Sequence, residues 1–176
     1  MPSVDLVRLQ TTEEVEKAEP LFREYVEWAR ERLATDYGIV WGDAEVERAH
    51  EGFRIGWPKL LGERGRIYLA LHNGQAAGVG ALKPISDEVA EVKRVFVRPE
   101  GRGLGIARTI MTRLIDDATA LSFRMVRLDT MPFMTDAHRL YRSLGFVDAA
   151  PYAGEGAEMG LGIHSIYMEL NLEQRG

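Results

Sequence analysis

The chain has no cysteine in 176 residues, so disulfide frameworks, thiolate nucleophiles and cysteine-bound metals are excluded, and nothing points to an oxidising compartment. It also lacks any apolar run approaching the roughly 18 residues of a membrane span, so no membrane partner is expected. The first residues, MPSVDLVRLQ, do not follow the basic-then-apolar order of a secretory leader. A cytoplasmic location is the default expectation. Histidine is scarce: His50, His72, His138 and His164 are scattered over separate segments, with no pair at metal-ligand spacing, so no metal is expected. A net charge of −5 argues against non-specific nucleic-acid binding. Repeats and linkers are absent too. A length of 176 residues suits a single domain over 1–176, large enough to bury about two-thirds of the surface its unfolded chain exposes. Assembly as a homodimer is left open.

Three familiar signatures are missing as well. Gly101, Gly103 and Gly105 are followed by Ile106, Ala107 and Arg108, so there is no lysine and hydroxyl residue to complete a Walker loop. Counting G-x-G-x-x-G from Gly101 lands on Ile106 and from Gly103 on Arg108, so the dinucleotide fingerprint fails in both registers. No G-x-S-x-G elbow supports a serine nucleophile, although His138 and Ser143 lie close to Tyr141 in sequence.

What is present is EVKRVFVRPEGRGLGIARTIMTRLIDDA at 91–118, an apolar strand that runs through a glycine-rich turn into an amphipathic helix. Arg102, Gly103, Leu104, Gly105, Ile106 and Ala107 fall where that helix begins, and amides there have no intrahelical acceptor and stand at the positive end of the helix dipole. A pyrophosphate is the natural occupant. Glycine at 103 and 105 removes side chains that would hold a ligand off the amides, and Arg102 adds a planar cationic fork. Lys93, Arg94, Arg98, Arg102 and Arg108 are bunched nearby. They supply local positive potential for an anion, or else form a solvated charged surface.

The turn reads R-x-x-G-x-A, and a second segment, AHRLYRSLGF at 137–146, reads A-x-x-L-Y-x-x-x-G-F. With Arg102, Gly105 and Ala107 in the first motif and Ala137, Leu140, Tyr141, Gly145 and Phe146 in the second, the chain resembles the GCN5-related N-acetyltransferase (GNAT) family. The resemblance covers a coenzyme-binding core of about 67–147, and two motifs in the right order are far more specific than one glycine loop. It implies an α/β acyl-CoA N-acyltransferase fold, with a central mixed, mostly antiparallel sheet of about six or seven strands flanked by helices. It further implies acetyl-coenzyme A as co-substrate and direct acetyl transfer to the amine of a small molecule in a ternary complex. A non-catalytic acyl-CoA-binding sensor and a protein or peptide N-acetyltransferase are the alternatives. One position departs from the family: Met134 stands where many members carry an asparagine that contacts the coenzyme arm. Thr130 or Asp136 could compensate.

Periodicity places the elements. A strand is expected at about 4–10, a helix at about 12–34 capped by Thr12, and a second helix at about 44–61 that breaks around Gly52, Gly56 and Pro58. The strands RIYLALH and AAGVGALKPI flank Asn73-Gly74, a strong hairpin signal. Ala107, Ile110, Met111, Leu114, Ile115, Ala118 and Leu121 form a helical stripe. Strands at about 125–130, 146–152 and 163–172, with a helix at about 135–144, complete the sheet. Gly154, Gly156, Gly160 and Gly162 mark a flexible connection that either borders the acceptor site or is an ordinary loop.

Moving an acyl group off a thioester raises an oxyanion, which preorganised N–H groups stabilise. Val92 has one parity while Val95 and Val97 share the other, so a bulge is expected near Lys93 and Arg94; a strand buried on both faces reads the same way. By resemblance, the bulge frees amides that bind the acetyl carbonyl and the pantetheine arm, which assigns those contacts to Val95, Phe96 and Val97. Also by resemblance, Tyr141 is the general acid that protonates the departing thiolate, although its spacing with Ala137, Leu140 and Leu144 equally suits a core aromatic. Glu91 is the expected base, at the start of the strand, with a solvated strand-end glutamate as the alternative; Asp129 and Glu88 rank below it. By analogy with the family, the first two helices frame the acceptor. Tyr25, Trp28, Tyr37, Trp41, Phe53 and Trp57 could cradle an apolar amine there, and Glu27, Glu31 and Asp36 could attract its cation, or all of them could serve packing and a charged helix face.

Overall fold

A computed structural model describes residues 4–152 and 164–173 of the chain. The glycine-bearing segment from Gly154 to Gly162 therefore lies outside the described residues. Seven strands form one sheet: β1 (Val4–Arg8), β2 (Arg66–His72), β3 (Gln75–Pro84), β4 (Val89–Val97), β5 (Met125–Thr130), β6 (Val147–Asp148) and β7 (Ile166–Asn171). Their spatial order is β1-β2-β3-β4-β5-β7-β6. Among the described residues, only the β4–β5 pair is parallel, as suits two neighbouring strands joined by a crossover helix.

That crossover helix is α3 (Ile106–Ala120), which packs on one face of the sheet together with α4 (Thr135–Ser143). The opposite face is covered by α1 (Thr12–Tyr37) and α2 (Asp43–Leu61). Two apolar cores therefore sandwich the sheet, and β3 is buried from Ala77 to Leu82, which explains its run of small and apolar residues. The expected α3 stripe is present, with its first contact supplied by buried Ile106, whereas Ala107 is only partly buried.

Local chemistry sets the ends of the elements. Thr11, one residue earlier than expected, caps α1: its Oγ1 accepts from the Glu14 amide at 3.2 Å and the Glu14 carboxylate accepts from the Thr11 amide at 3.2 Å, a reciprocal capping box. The helix runs on to Tyr37 and closes at Gly38, whose φ of 66° suits a residue without Cβ. The hairpin turn holds Asn73 at φ 52° and Gly74 at φ 75°, as a two-residue turn between twisted strands requires.

The second helix differs from expectation because it does not break. Val46, Ala49, His50, Phe53, Trp57 and Leu60 form one continuous buried face through the glycines and the proline. A Cβ at Gly52 or Gly56 would meet nothing within 4 Å, so these glycines lie on the outer side. Pro58 falls in the last turn, where packing of Trp57 and Leu60 outweighs one lost hydrogen bond. The strand expected over 146–152 is cut to Val147–Asp148.

Candidate active site

The site is built on an irregularity in β4. Val79 faces Phe96 but Ala81 faces Lys93, so two steps along β3 match three along β4 and one extra residue sits at Arg94–Val95. Arg94 takes φ 57° there, and the expected bulge is present. Opposite it, a Cβ on Gly80 would come within 2.5 Å of Ile110 Cγ2, so glycine is what lets α3 approach.

On its other edge β4 pairs with β5 only at Val89–Met125, Ala90–Val126 and Glu91–Arg127. Beyond that rung the strands part. The Arg98 amide donates to Ala77 O at 2.9 Å, which turns Arg98 toward β3, and strand alternation then turns Phe96 toward β3 as well. The N–H and C=O of Val97 therefore face away from β3, toward the gap, while Val95 lies in the bulge itself, outside the regular pairing. Of the three residues expected to make contacts on this strand, Phe96 has its backbone turned toward β3; its ring packs on Tyr25 and Trp28.

At one end of the gap lies the glycine turn. Gly103 and Gly105 have φ of 77° and 79°, and a Cβ on either would meet nothing within 4 Å. The Arg102 amide donates to Pro99 O at 3.2 Å, so it is not among the open donors. The amides from Gly103 to Arg108 make no backbone hydrogen bond to a described residue, leaving a short run of donors at the α3 N-terminus. Such a cradle fits a pyrophosphate. The Arg102 side chain is exposed; its guanidinium stands 5.5 Å from the Trp28 ring and its Nε donates to Val97 O at 3.4 Å.

The bunched basic residues do not act as one patch. Arg98 grips Glu24 through two bonds of 2.8 and 2.6 Å, Arg94 lies 3.0 Å over the Phe53 ring, and Arg108 donates to Ser143 Oγ at 2.7 Å. Lys93 is buried and paired with Glu91. Arg102 and Arg108 alone of the five belong to the turn and the first turn of α3.

Glu91 is the third residue of β4 and only 2% exposed, which overturns both its expected place at the strand start and the solvated alternative. Its carboxylate takes Lys93 Nζ and, at 2.9 Å, Arg127 Nε. It does not line the cavity that opens where the strands part. Asp129 does, and it stands 3.8 Å from Lys93 Nζ. That cavity is partly open to solvent and has a volume of about 120 Å³. Its strand side is formed by Val92, Lys93, Arg94, Asp129 and Thr130, and the turn after β5 adds Met131, Phe133 and Met134. Across from these, α1 contributes Tyr25, Val26, Ala29 and Leu33, and Trp41, Ala49 and Phe53 close the helix side.

Three of the six expected aromatic residues thus line the cavity. Trp28 and Tyr37 instead brace Phe133, at ring separations of 5.6 and 6.0 Å, and Trp57 is buried in the α2 face. Glu27 and Asp36 pair with Arg30 and Arg32 on the outside of α1, Glu31 is exposed, and none of the three borders the cavity. Sequence reading passed over Phe133, because a residue in an irregular turn carries no periodic signal. It ranked Asp129 low, yet the shared parity of Arg127 and Asp129 in MVRLDT was there to be read.

Tyr141 is buried, with its ring 5.9 Å from that of Phe146. Burial, reinforced by nearby Tyr25 and Asp129, raises its phenol above the ordinary range, so the hydroxyl keeps its proton. His138 is spent on packing: its Nε2 lies 3.0 Å from Met131 O and burial lowers its pKa. Ser143 donates to Leu140 O, so no triad forms with it. Met134 lines the cavity and its Sδ accepts from Thr130 Oγ1 at 3.4 Å. Asp136 pairs with Arg139 on the surface, which leaves Thr130 as the polar group beside Met134.

Comparison with known proteins agrees with this geometry. The acetyltransferase (GNAT) family model matches residues 26–146. L-amino acid N-acyltransferase MnaT of Escherichia coli is 30% identical over 149 residues, which is 84% of this chain and 80% of that protein. IAA acetyltransferase of Azospirillum brasilense is 33% identical over 94 residues, 53% of this chain and 61% of that protein. Several curated relatives are matched over less than two thirds of their length, from 30% to 61%. Among solved structures, a GNAT family acetyltransferase from Elizabethkingia anophelis with acetyl-CoA bound aligns at a TM-score of 0.58 and 21% identity, covering 69% of this chain and 82% of that one.

Proposed function

The chain belongs to the acetyltransferase (GNAT) family, and from that premise we propose that it transfers an acetyl group from acetyl-coenzyme A directly to the amine of a small molecule. The observation that carries this reading is the parting of β4 and β5 after Glu91–Arg127. A glycine turn with open amides adjoins the gap, and α1 and α2 roof the cavity beside it. The roof favours a small acceptor over an extended peptide, which needs an open groove or a free sheet edge.

Acetyl-coenzyme A, when bound, supplies an acyl group already activated as a thioester. The amides of Gly103 to Arg108 would hold its pyrophosphate, with Arg102 adding charge and bidentate geometry. Val97 would present its N–H to the gap, and the bulge at Arg94–Val95 would free a further amide beside it; such N–H groups favour developing negative charge. Tyr141 keeps its proton at the phenol oxygen, as a donor to a leaving thiolate must. In the base role Asp129 takes precedence over Glu91, because Asp129 borders the cavity and Glu91 is occupied by two cations behind it. Glu91 then acts as a positioning residue that fixes Lys93. The whole chain works as one domain in the cytoplasm.

The test is calorimetric titration with acetyl-coenzyme A, with NADH and ATP as comparison ligands, followed by thiol release on addition of amines; a protein without cysteine contributes no thiol background. Selective binding, weakened about tenfold by Arg102→Ala, together with amine-dependent thiol release, supports the enzyme. Selective binding without transfer to any amine or peptide N-terminus supports a sensor instead. Equal or absent binding of all three ligands removes the reading.

A further inference from the structure

The two sides of the cavity differ in chemistry. The strand side carries Asp129 and Thr130, and among the described residues Asp129 is the only carboxylate on the lining. The helix side and the turn after β5 carry Leu33, Trp41 and Phe133, while the Phe53 ring is covered by the Arg94 guanidinium at 3.0 Å. Phe133 is held in place, because Trp28 meets it edge-on and the Arg32 guanidinium lies 5.2 Å over its ring. A rigid apolar wall of this kind rewards a flat body, since aromatic surfaces in offset or edge contact gain more than their buried area alone provides.

Resting on the acetyltransferase reading above, we propose that the acceptor is a primary amine carried on an aromatic body of about one ring, with its nitrogen at the strand side and its ring under the helices. The nitrogen end follows from the gap between β4 and β5, which lies on the strand side beside Asp129 and Thr130. The ring end follows from the apolar lining, which recovers little free energy from a short alkyl or hydroxyalkyl chain. Polyamines fit poorly, because a second ammonium would meet Lys93 and Arg94 on the same wall with no further lining carboxylate among the described residues. A cavity of about 120 Å³ is on the scale of one that takes a single benzene ring.

The test pairs ring-bearing amines with their ring-free counterparts: 2-phenylethylamine against ethylamine and L-phenylalanine against L-alanine, with spermidine and an Ala-initiated peptide as further arms. Thiol release is expected to show kcat/KM about 50-fold higher for at least one ring-bearing member. Calorimetric titration of the protein alone should show the same order of affinity, independently of turnover. Ala29→Phe fills the cavity from α1 and is expected to bring the ratio to within about threefold. Its retained titration with acetyl-coenzyme A reports that the variant is folded.

Ratios near one in both assays, or preference for spermidine or the peptide, overturn the ring pocket while leaving the transferase standing. Absence of both acetyl-coenzyme A binding and thiol release removes the transferase, and this proposal with it. Should Ala29→Phe not fold, the paired ratios and the wild-type titration decide alone.

Discussion

Arg127 Nε donates to Glu91 Oε2 at 2.9 Å on the last rung where β4 and β5 still pair. The same carboxylate takes Lys93. Lys93 in turn stands 3.8 Å from Asp129, across the part of the seam where no backbone pairing remains. E-x-K on one strand thus meets R-x-D on its parallel neighbour, and the charges alternate up to the cavity wall. Buried charges of this kind need mutual partners to be tolerated away from water.

Glu91→Ala should destabilise the fold by about 3 kcal/mol, since it leaves two cations without their shared carboxylate in a buried seam. Urea unfolding measures this, and Glu91→Gln should fall between the two. A change within about 0.5 kcal/mol would show that the carboxylate is not structural and would return it to the list of candidate bases.

Gly80→Ala should cost about 1–3 kcal/mol, because its Cβ would stand 2.5 Å from Ile110 Cγ2 and α3 would have to shift. The double variant Gly80→Ala/Ile110→Val keeps Cγ2 and should remain destabilised, whereas Gly80→Ala/Ile110→Ala removes the clash at the cost of a cavity. A double-mutant cycle reads the coupling between the two positions.

Tyr141→Phe should lower kcat about 100-fold with little change in acetyl-coenzyme A affinity, if the phenol supplies the proton. The pKa adds a stability test. Burial raises Tyr141, and likewise Tyr152, above the ordinary value of 10.0. Below that value both folded and unfolded chains hold the proton. Above it the unfolded chain releases protons that the folded chain keeps, so stability falls as pH climbs beyond 10.0. Unfolding midpoints across the alkaline range should show this decline, and each Tyr→Phe variant should flatten it.

His50 and His138 lie on the opposite branch. Burial lowers both below the ordinary 6.5, so as pH falls through 6.5 the unfolded chain takes up protons sooner than the folded one. Their contribution is present above 6.5 and lost on acidification. His138→Gln should reduce the difference in urea midpoint between about pH 7.5 and 5.5; an unchanged difference would exclude His138 as a source.

Much of the fold was legible because its signals are local. Asn73-Gly74 announced a hairpin, the Val92 and Val95 parity slip announced a bulge, and Ile110, Met111, Leu114 and Ile115 announced a helix on a sheet. The break expected in α2 illustrates the limit. Glycine and proline disfavour a helix locally, but Val46, Phe53, Trp57 and Leu60 are buried together, and no local rule weighs that burial. The candidate site was legible where backbone makes it, at Gly103 and Gly105, and illegible where side chains from distant segments make it.

Glu91 is the clearest division between the two. By itself the sequence determined strand parity, the glycine turn at Gly103 and Gly105, the family motifs at Arg102–Ala107 and Ala137–Phe146, and the absence of thiol chemistry, because each is read from neighbours a few residues apart or from composition. Only the tertiary structure decided that Glu91 is buried beneath Lys93, that Asp129 borders the cavity, and that Phe133 is braced by Trp28 and Tyr37. Charge pairing and burial depend on which distant segments the sheet brings together, and a carboxylate's environment, not its identity, sets whether it serves as a base or as a partner for cations.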